Sequence, residues 1–511
     1  MPPPNDDREP IPGRAAAMDR PALPPWVSWP LILGLGAAIW AWDVWLGRRP
    51  AEVPPWGWRL LAIFLPTILA LMLRPIPGGA AVLLGLIAAV LFDALPPDKP
   101  PMETALAGYA DPTVWLVLAA YFISRALIKT GLARRIALGF VRLLGHNTLG
   151  LSYAMTASDT VLAAMIPSNA ARVGGVILPI TQSMAELYNS YPGRTAGLLG
   201  TFLMLSLYQC DVVACALFLT GQASNPLAAK TAADITAGVV RLSYANWFLY
   251  ALAPAVVSLL LIPWLLYRWQ RPVLRHTPEA VALARAELAR MGRPREGEWV
   301  VIATFAAVCG GWILTGVVGA GEFGLSASGA VALIALSGVG VLLLSGVLTW
   351  EDCVTERGAW DVFIWYGGLV QLGKLLNDAG VTRAFAEGVR DALDGYGLPL
   401  EALFVVMLLI YFYAHYAFAS ITAHIVSMFP PFVAVLLLLG TPPWLVACSF
   451  AYFSNFCAGL THYGTTPAPI VFSTGYVPHG TWWRVGFVVS VVNIAIWLTV
   501  GVAWWSLWGL W

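Results

Sequence analysis

The sequence predicts an all-α polytopic membrane protein with about 11 transmembrane helices, two inverted repeats, two re-entrant hairpins and broken helices. Three observations carry this prediction. Hydrophobic residues make up 59% of the 511 and charged ones only 11%, less than half of the ~25% found in a soluble domain. The charge that remains is uneven: between Ala402 and Trp511 the single charged residue is Arg484. The apolar runs reach the roughly 20 residues needed to cross a bilayer, and some are interrupted by proline and small polar residues. A soluble enzyme, a nucleic-acid binder and a disordered scaffold are excluded together, because none could cover its surface with so few polar groups. The net charge of +1 points to no acidic or basic partner.

In chain order, residues 1–25 hold eight prolines and seven charges. Such a segment cannot bury enough apolar surface to order itself, and it lacks the layout of a cleaved signal peptide; it reads as a disordered tail. Spans are expected near 27–46, 57–73, 79–95, 112–130, 195–222, 241–267, 299–320, 325–349, 360–378, 443–461 and 482–510. Residues 147–190 and 401–440 are apolar but broken, by Pro167, Ser168 and Asn169 in one and by Ser420, Thr422, Pro430 and Pro431 in the other. Irregular backbone survives at membrane depth only where protein or a watery cavity covers it, so both read as re-entrant hairpins followed by broken helices. The loop from Arg268 to Glu298 carries seven arginines and the amphipathic stretch HTPEAVALARAELARMG, and the positive-inside rule makes it cytoplasmic. The loop 131–146, with Arg134, Arg135 and Arg142, falls on the same side, which puts the N-terminus inside and the C-terminus outside; Arg48 and Arg49 run against the rule. The chain divides into a tail (1–25), N-terminal helices (26–110), a first repeat (111–267, hairpin near 147–170), a cytoplasmic loop (268–298), further helices (299–359) and a second repeat (360–511, hairpin near 401–424). The six cysteines are scattered through apolar runs with no metal-ligand spacing and read as small core residues. Tryptophans crowded at Trp482, Trp483, Trp504, Trp505, Trp508 and Trp511 read as interface anchors.

The repeat rests on punctuation. DPTVWLVLAAYFISRALIKTGLARRIA (111–137) has a counterpart in WDVFIWYGGLVQLGKLLNDAGVTRAFA (360–386), with Trp115 matching Trp365 and Gly131 matching Gly380. Each is followed by a serine-containing break, Ser168-Asn169-Ala170-Ala171-Arg172 and Ser420-Ile421-Thr422-Ala423-His424, with a basic side chain four residues after the serine. A second, proline-containing interruption follows in each half: GQASNPLAAK (221–230) and YGTTPAPI (463–470). Matched, proline-interrupted segments point to a transporter's binding site, because broken helices offer N–H groups to an anion and carbonyls to a cation. The alternative is a duplication in which serine and proline serve helix packing alone.

Arg172 is the only Lys or Arg between Arg142 and Arg194, and a buried charge costs at least ~2.5–3.5 kcal/mol at mid-membrane. Its compensation is either a substrate carboxylate, which suits the guanidinium fork, or an ion pair with Asp159 or Asp211. The first is favoured because Arg172 lies one turn past the break. His424 holds the matching place, and His462 precedes the second interruption. A metal site from His415, His424 and His462 is conceivable, but the spacings match no zinc pattern. Ser168, Asn169, Ala170, Ser420 and Thr422, with Ser224, Asn225 and Pro226 and with Thr465, Thr466 and Pro467, complete the candidate substrate site; their bland reading is the satisfaction of freed backbone groups. No nucleotide-binding motif or nucleophile elbow is present, which gives no support to ATP-driven pumping or to an enzyme, and no cofactor is expected.

The segments MIPSNAARVGGVILPI (165–180), HTPEAVALARAELARMG and LTHYGTTPAPIVFSTGYV (460–477) resemble the divalent anion:sodium symporter (DASS) family, in the branch of the bacterial citrate/succinate and tartrate/succinate antiporters and the plastid 2-oxoglutarate/malate translocators. The resemblance covers roughly residues 27 to 511. It implies eleven spans, two opposed hairpins, a scaffold that forms a homodimer, and a transport domain that moves as an elevator. It also implies small di- or tricarboxylate anions as substrates and a multi-pass place in the lipid bilayer of a bacterial cytoplasmic (inner) membrane, with no nucleic acid as partner. The family's Ser-Asn-Thr signature stands here as Ser168-Asn169-Ala170 and Ser420-Ile421-Thr422. Because Ile421 cannot hold a cation, the expectation is exchange of carboxylates, with Arg172 and His424 supplying fixed positive charge. Two alternatives stay open: a sodium-coupled symporter with a residual ion site near Ser168, Asn169 and Gly221, and, more remotely, a membrane-embedded metal-dependent hydrolase.

Overall fold

The computed structural model describes residues 23–318, 324–393 and 397–510; most of the expected tail and Trp511 lie outside the described residues. Apolar runs become helices in every segment where a span is expected, and proline sets many of their starts. Pro25, Pro55, Pro112, Pro278, Pro443 and Pro467 each open a helix, where the missing N–H costs nothing and the fixed φ is already helical. Among the described residues, ten helices are long and apolar enough to cross a membrane, and Gly78–Leu91 is a shorter apolar one.

The helices form two packed groups. In the outer group, Pro25–Val44, Pro55–Leu73, Gly78–Leu91, Arg357–Asp378, Pro112–Lys129, Ala327–Leu344 and Glu296–Val318 pack each on the next. The inner group centres on Gly200–Leu217, whose apolar window is 94% buried against 11% for Pro25–Val44. Tyr244–Gln270, Thr148–Ala163 and Pro443–Phe456 pack directly on it.

Both expected hairpins are present. The first runs out along Thr148–Ala163, turns at residues 164–169 and returns through a wide π-type stretch, Ala170–Ile177, into Leu178–Leu187. The second runs along Leu400–Ala414, turns through His415–Ala417 and returns along Ile421–Leu438. Its two arms would pass a length test for spanning, but Tyr411 and His424 face each other across them with ring centroids 4.3 Å apart. The expected runs 195–222 and 443–461 prove to be the first halves of broken helices: Gly200–Leu217 resumes as Ser224–Ile235, and Pro443–Phe456 resumes as Pro467–Phe472.

The matched glycines have a shared backbone reason. Gly131 (φ 81°) and Gly380 (φ 74°) both adopt the left-handed region, which glycine enters at least cost. Each turns the chain from a long helix into an amphipathic one, Leu132–Leu144 and Val381–Leu393.

The arginine-rich loop is not loose. Thr148 donates to the Leu274 carbonyl at 2.6 Å, and the Thr277 N–H donates to the His146 carbonyl at 2.9 Å. Arg135 forms a two-pronged pair with Glu298 (2.5 and 3.0 Å), and Arg134 meets Glu287 at 2.9 Å. Nearby, the Lys129 ammonium at 2.5 Å and the Thr349 donors hold the Asp352 carboxyl down to about 2.

The inverted arrangement has a direct test. Arg285 and Lys99 are both exposed, and the native cysteines are buried apart from the half-buried Cys309. Arg285→Cys is expected to react with a membrane-impermeant maleimide only in inside-out vesicles, and Lys99→Cys only in right-side-out ones; labelling of both from one face overturns the topology.

Candidate functional site

Four interruptions of regular helix meet in the inner group, and side chains close them into a ring. From the tip of the first hairpin, the Asn169 amide donates to Thr465 Oγ1 at 3.3 Å, while Thr466 donates to Asn169 Oδ1 at 3.1 Å. That joins it to the break in the second broken helix. The same break accepts from the second hairpin, where His415 Nε2 lies 2.8 Å from the Gly464 carbonyl. The second hairpin reaches back to the first broken helix through Thr422 and Ser224, whose hydroxyls are 2.6 Å apart. Finally Thr220 donates to Ala164 at 2.9 Å, and Arg172 Nη1 donates to Gly221 at 3.0 Å, which returns to the first hairpin. The pairing is crosswise: each hairpin tip bonds the proline-containing break of the other repeat.

The serines cap the returning arms identically. Ser168 Oγ accepts from the Ala171 N–H and Ser420 Oγ from the Ala423 N–H, at 3.2 and 3.3 Å, so local backbone satisfaction accounts for part of their presence. Ala170 contributes its N–H, bonded to Asn169 Oδ1 at 3.0 Å. Three helix starts, at Ala170, Ser224 and Ile421, therefore lie on the ring, each a source of partial positive charge. Ser168, Ala170, Ser420 and Thr422 are half-buried and Thr466 is exposed, so this face is open. None of the candidate residues on it is acidic.

Several expected residues turn away from that face. Arg172 does not present its guanidinium to a substrate. It is fully buried, and all five of its N–H groups have protein partners. Nε donates to Asp159 at 2.7 Å, Nη1 to the Ile166 and Gly221 carbonyls at 3.0 Å each, and Nη2 to Asp211 and to Cys215 Sγ. With no donor spare, the buried ion cluster is what compensates its charge. His424 is likewise enclosed, with Nε2 2.9 Å from the Tyr411 carbonyl and Nδ1 3.8 Å from Cys457 Sγ. The Gly221 carbonyl accepts from Arg172 Nη1, which occupies one of its two lone pairs. Asn225 is buried and donates to the Cys215 and Phe218 carbonyls (2.8 and 2.9 Å), which satisfies the broken helix; Pro226, in the first turn of Ser224–Ile235, and Pro467, which starts Pro467–Phe472, are buried. His462 stands apart against His479, and Trp483 Nε1 donates to its Nδ1 at 3.1 Å.

Other contributors were not singled out from sequence. The Arg74 guanidinium, from the outer group and at a position no repeat marks, donates to the Ala419 carbonyl beside Ser420. Gln222 bridges Asn225 and Asn455 at 3.2 and 2.6 Å. Cys215 and Cys457 had a usable signal, since each begins a Cys-Ala pair shortly before a proline-containing break.

The model of the sodium:sulfate symporter transmembrane region matches residues 30–511. The chain belongs to this family. It is 39% identical over 498 residues to dicarboxylate transporter 1 of Arabidopsis thaliana chloroplasts, covering 96% of this chain and 86% of that one. It is 31% identical over 477 residues to the citrate/succinate antiporter of Escherichia coli, covering 90% and 94%. Among solved structures, the fold resembles MtrF of Neisseria gonorrhoeae (TM-score 0.55, 15% identity, 86% and 97% covered) and the YdaH transporter of Alcanivorax borkumensis (TM-score 0.54, 14% identity, 80% and 88% covered). This chain is thus a polytopic membrane transporter and not an enzyme.

The ion cluster has a stability consequence. Arg172→Ala leaves two buried carboxylates unpaired and is expected to cost about 3–5 kcal/mol, read as a large fall in the unfolding temperature in detergent. Replacing the whole cluster, Arg172→Met with Asp159→Leu and Asp211→Leu, is expected to recover most of that loss. Unchanged unfolding of Arg172→Ala would show that the cluster does not hold the hairpin.

Proposed function

We propose that this transporter exchanges small di- or tricarboxylates of the succinate, malate, fumarate, 2-oxoglutarate and citrate type, carrying them by an elevator movement of the inner group. The observation that carries this is the crosswise ring, a set of hydroxyls, one amide and three helix starts with no acidic side chain among them. Relatives named as a dicarboxylate transporter and a citrate/succinate antiporter support the substrate class.

The carboxylates are bound by neutral donors and helix ends rather than by fixed cations. One carboxylate meets Ser168, Asn169 and Thr466, and the other meets Ser420, Thr422 and Ser224. Helix starts contribute about 0.3–1 kcal/mol each toward an anion, and each sound hydrogen bond to a charged group about 1.5–3 kcal/mol. Exchange without sodium is favoured over symport by two features of the first half and one of the second. Arg172 occupies one lone pair of the Gly221 carbonyl, Ala170 has no side-chain ligand atom, and Ile421 supplies none in the second signature.

A cavity of about 690 Å³ supports the elevator reading. It separates Leu227, Lys230 and Val426 of the inner group from Trp58, Phe64 and Leu369 of the outer group. Dimerisation through the outer group belongs to the same proposal.

Reconstituted protein preloaded with labelled dicarboxylate should take up or release label only against a carboxylate on the opposite side, equally with and without sodium. Uptake into empty vesicles driven by an inward sodium gradient would instead make it a symporter. Thr422→Val, which keeps the shape and removes the hydroxyl, is expected to raise the half-saturating substrate concentration about tenfold, the equivalent of ~1.4 kcal/mol.

A further inference from the structure

Behind the tip of the second hairpin lie His415, His424 and Cys457, all fully buried. One ligand atom from each lies within 4.8 Å of the other two. They come from three segments: the end of the outgoing arm, the first turn of the returning arm, and the break of the second broken helix.

The hydrogen bonds determine which atoms are free. His415 Nε2 faces the Gly464 carbonyl at 2.8 Å and His424 Nε2 faces the Tyr411 carbonyl at 2.9 Å. A carbonyl can only accept, so both Nε2 atoms carry the proton and both Nδ1 atoms keep a lone pair. The His415 Nδ1 has no hydrogen-bond partner in the protein although it is buried. The His424 Nδ1 lies 3.8 Å from Cys457 Sγ. The thiol has one proton, for which the Ser454 carbonyl 3.3 Å away also competes, and it can serve at most one of these nitrogens, so a buried lone pair is left over, which is costly in a dry interior.

A metal ion resolves that imbalance. Two imidazole nitrogens and a thiolate form a ligand set for zinc and other borderline or soft transition ions. The 3.8 Å separation is close to the roughly 3.5 Å that sulfur and nitrogen span on one tetrahedral zinc, given bonds of ~2.3 and ~2.0 Å. Backbone carbonyls on the far ring nitrogens are the usual outer partners of metal-bound histidines, fixing the tautomer and the ring plane.

We propose that His415, His424 and Cys457 form a binding site for one transition-metal ion of the zinc class, which fastens both arms of the second hairpin to the second broken helix. Binding releases the thiol proton to solvent and needs no oxidant. The three-histidine grouping of His415, His424 and His462, to which the sequence spacings give no support, is not formed, because His462 packs against His479; Cys457 stands beside the other two instead. His415 also holds the Gly464 carbonyl of the ring through its other nitrogen, and the metal proposal does not rest on the transport reading.

The test uses the full-length protein in detergent, stripped with chelator under reducing conditions and titrated with Co²⁺ alone. One Co²⁺ per chain is expected, with an intense near-ultraviolet thiolate-to-cobalt band, visible bands of tetrahedral cobalt and a rise in unfolding temperature. Cys457→Ser should abolish the thiolate band and weaken binding at least tenfold, while Cys448→Ser, a buried thiol elsewhere, should leave both unchanged. His415→Gln retains a donor for Gly464 and removes the Nδ1 ligand, so it reads the site if Cys457→Ser does not fold; it should weaken binding likewise. Absence of the thiolate band in the unmodified protein, or its survival in Cys457→Ser, overturns the proposal, as does undiminished binding by His415→Gln.

Discussion

The architecture depends on how one buried cation is compensated. Arg172 sits in a part of the chain that is otherwise almost free of charge, and the structure answers it with Asp159 from the outgoing arm of its own hairpin and Asp211 from the central helix. The same guanidinium also holds two carbonyls, Ile166 at the tip and Gly221 in the break of the first broken helix. A single side chain thus fastens three segments that could not satisfy their own backbone at membrane depth. Buried ion clusters add little net stability compared with apolar packing, yet losing one partner is severe. Such a cluster is therefore suited to fixing one geometry for a hairpin tip rather than to strengthening the core.

The second repeat solves the same geometric problem without charge. Arg172 meets Asp159 thirteen residues earlier, and His424 meets the Tyr411 carbonyl thirteen residues earlier. Arg172 touches Cys215 and His424 faces Cys457, each cysteine lying shortly before a proline-containing break. In one half the link is an ion cluster; in the other it is a neutral imidazole with an aromatic and a thiol around it. The two halves share which positions touch and differ in the chemistry of the touch.

This divergence explains what was legible in the sequence. The spans follow from apolar run length, and the hairpins follow from Pro167 and from Ser420 and Thr422 interrupting such runs. Gly131 and Gly380 marked a real backbone constraint, a left-handed turn into an amphipathic helix. The role of Arg172 was not legible, since scarcity of charge says only that compensation exists; whether it comes from Asp159 and Asp211 or from a ligand depends on which way one side chain points. Asp211 and Cys215, one turn apart on the central helix, present one face toward Arg172, but an apolar helix gives no periodic cue to which face that is. The burial of His424 was not legible for a related reason: matched sequence position conveyed matched place, and place does not convey exposure. Arg74 lies outside either repeat and was invisible to pattern.

Two kinds of polar contact then separate by function. Those within the inner group, Arg172 with its partners and the crosswise Asn169–Thr466 and Thr422–Ser224 bonds, join segments that are interlocked around one ring. Those between the groups include Arg74 on the Ala419 carbonyl and Lys230 on Asp111 at 3.0 Å. Lys230 and Asp111 are part-exposed, with side chains 23% and 18% accessible, and contacts of that sort are worth ~0–1 kcal/mol because water competes for both partners. For the inner group to move as proposed, links of this second set have to break, and the exposed Lys230–Asp111 pair is among the weaker of them. The buried ion cluster and the crosswise bonds are internal to the body proposed to move. That partition is compatible with the proposed movement, because the ring can travel without its own bonds being broken.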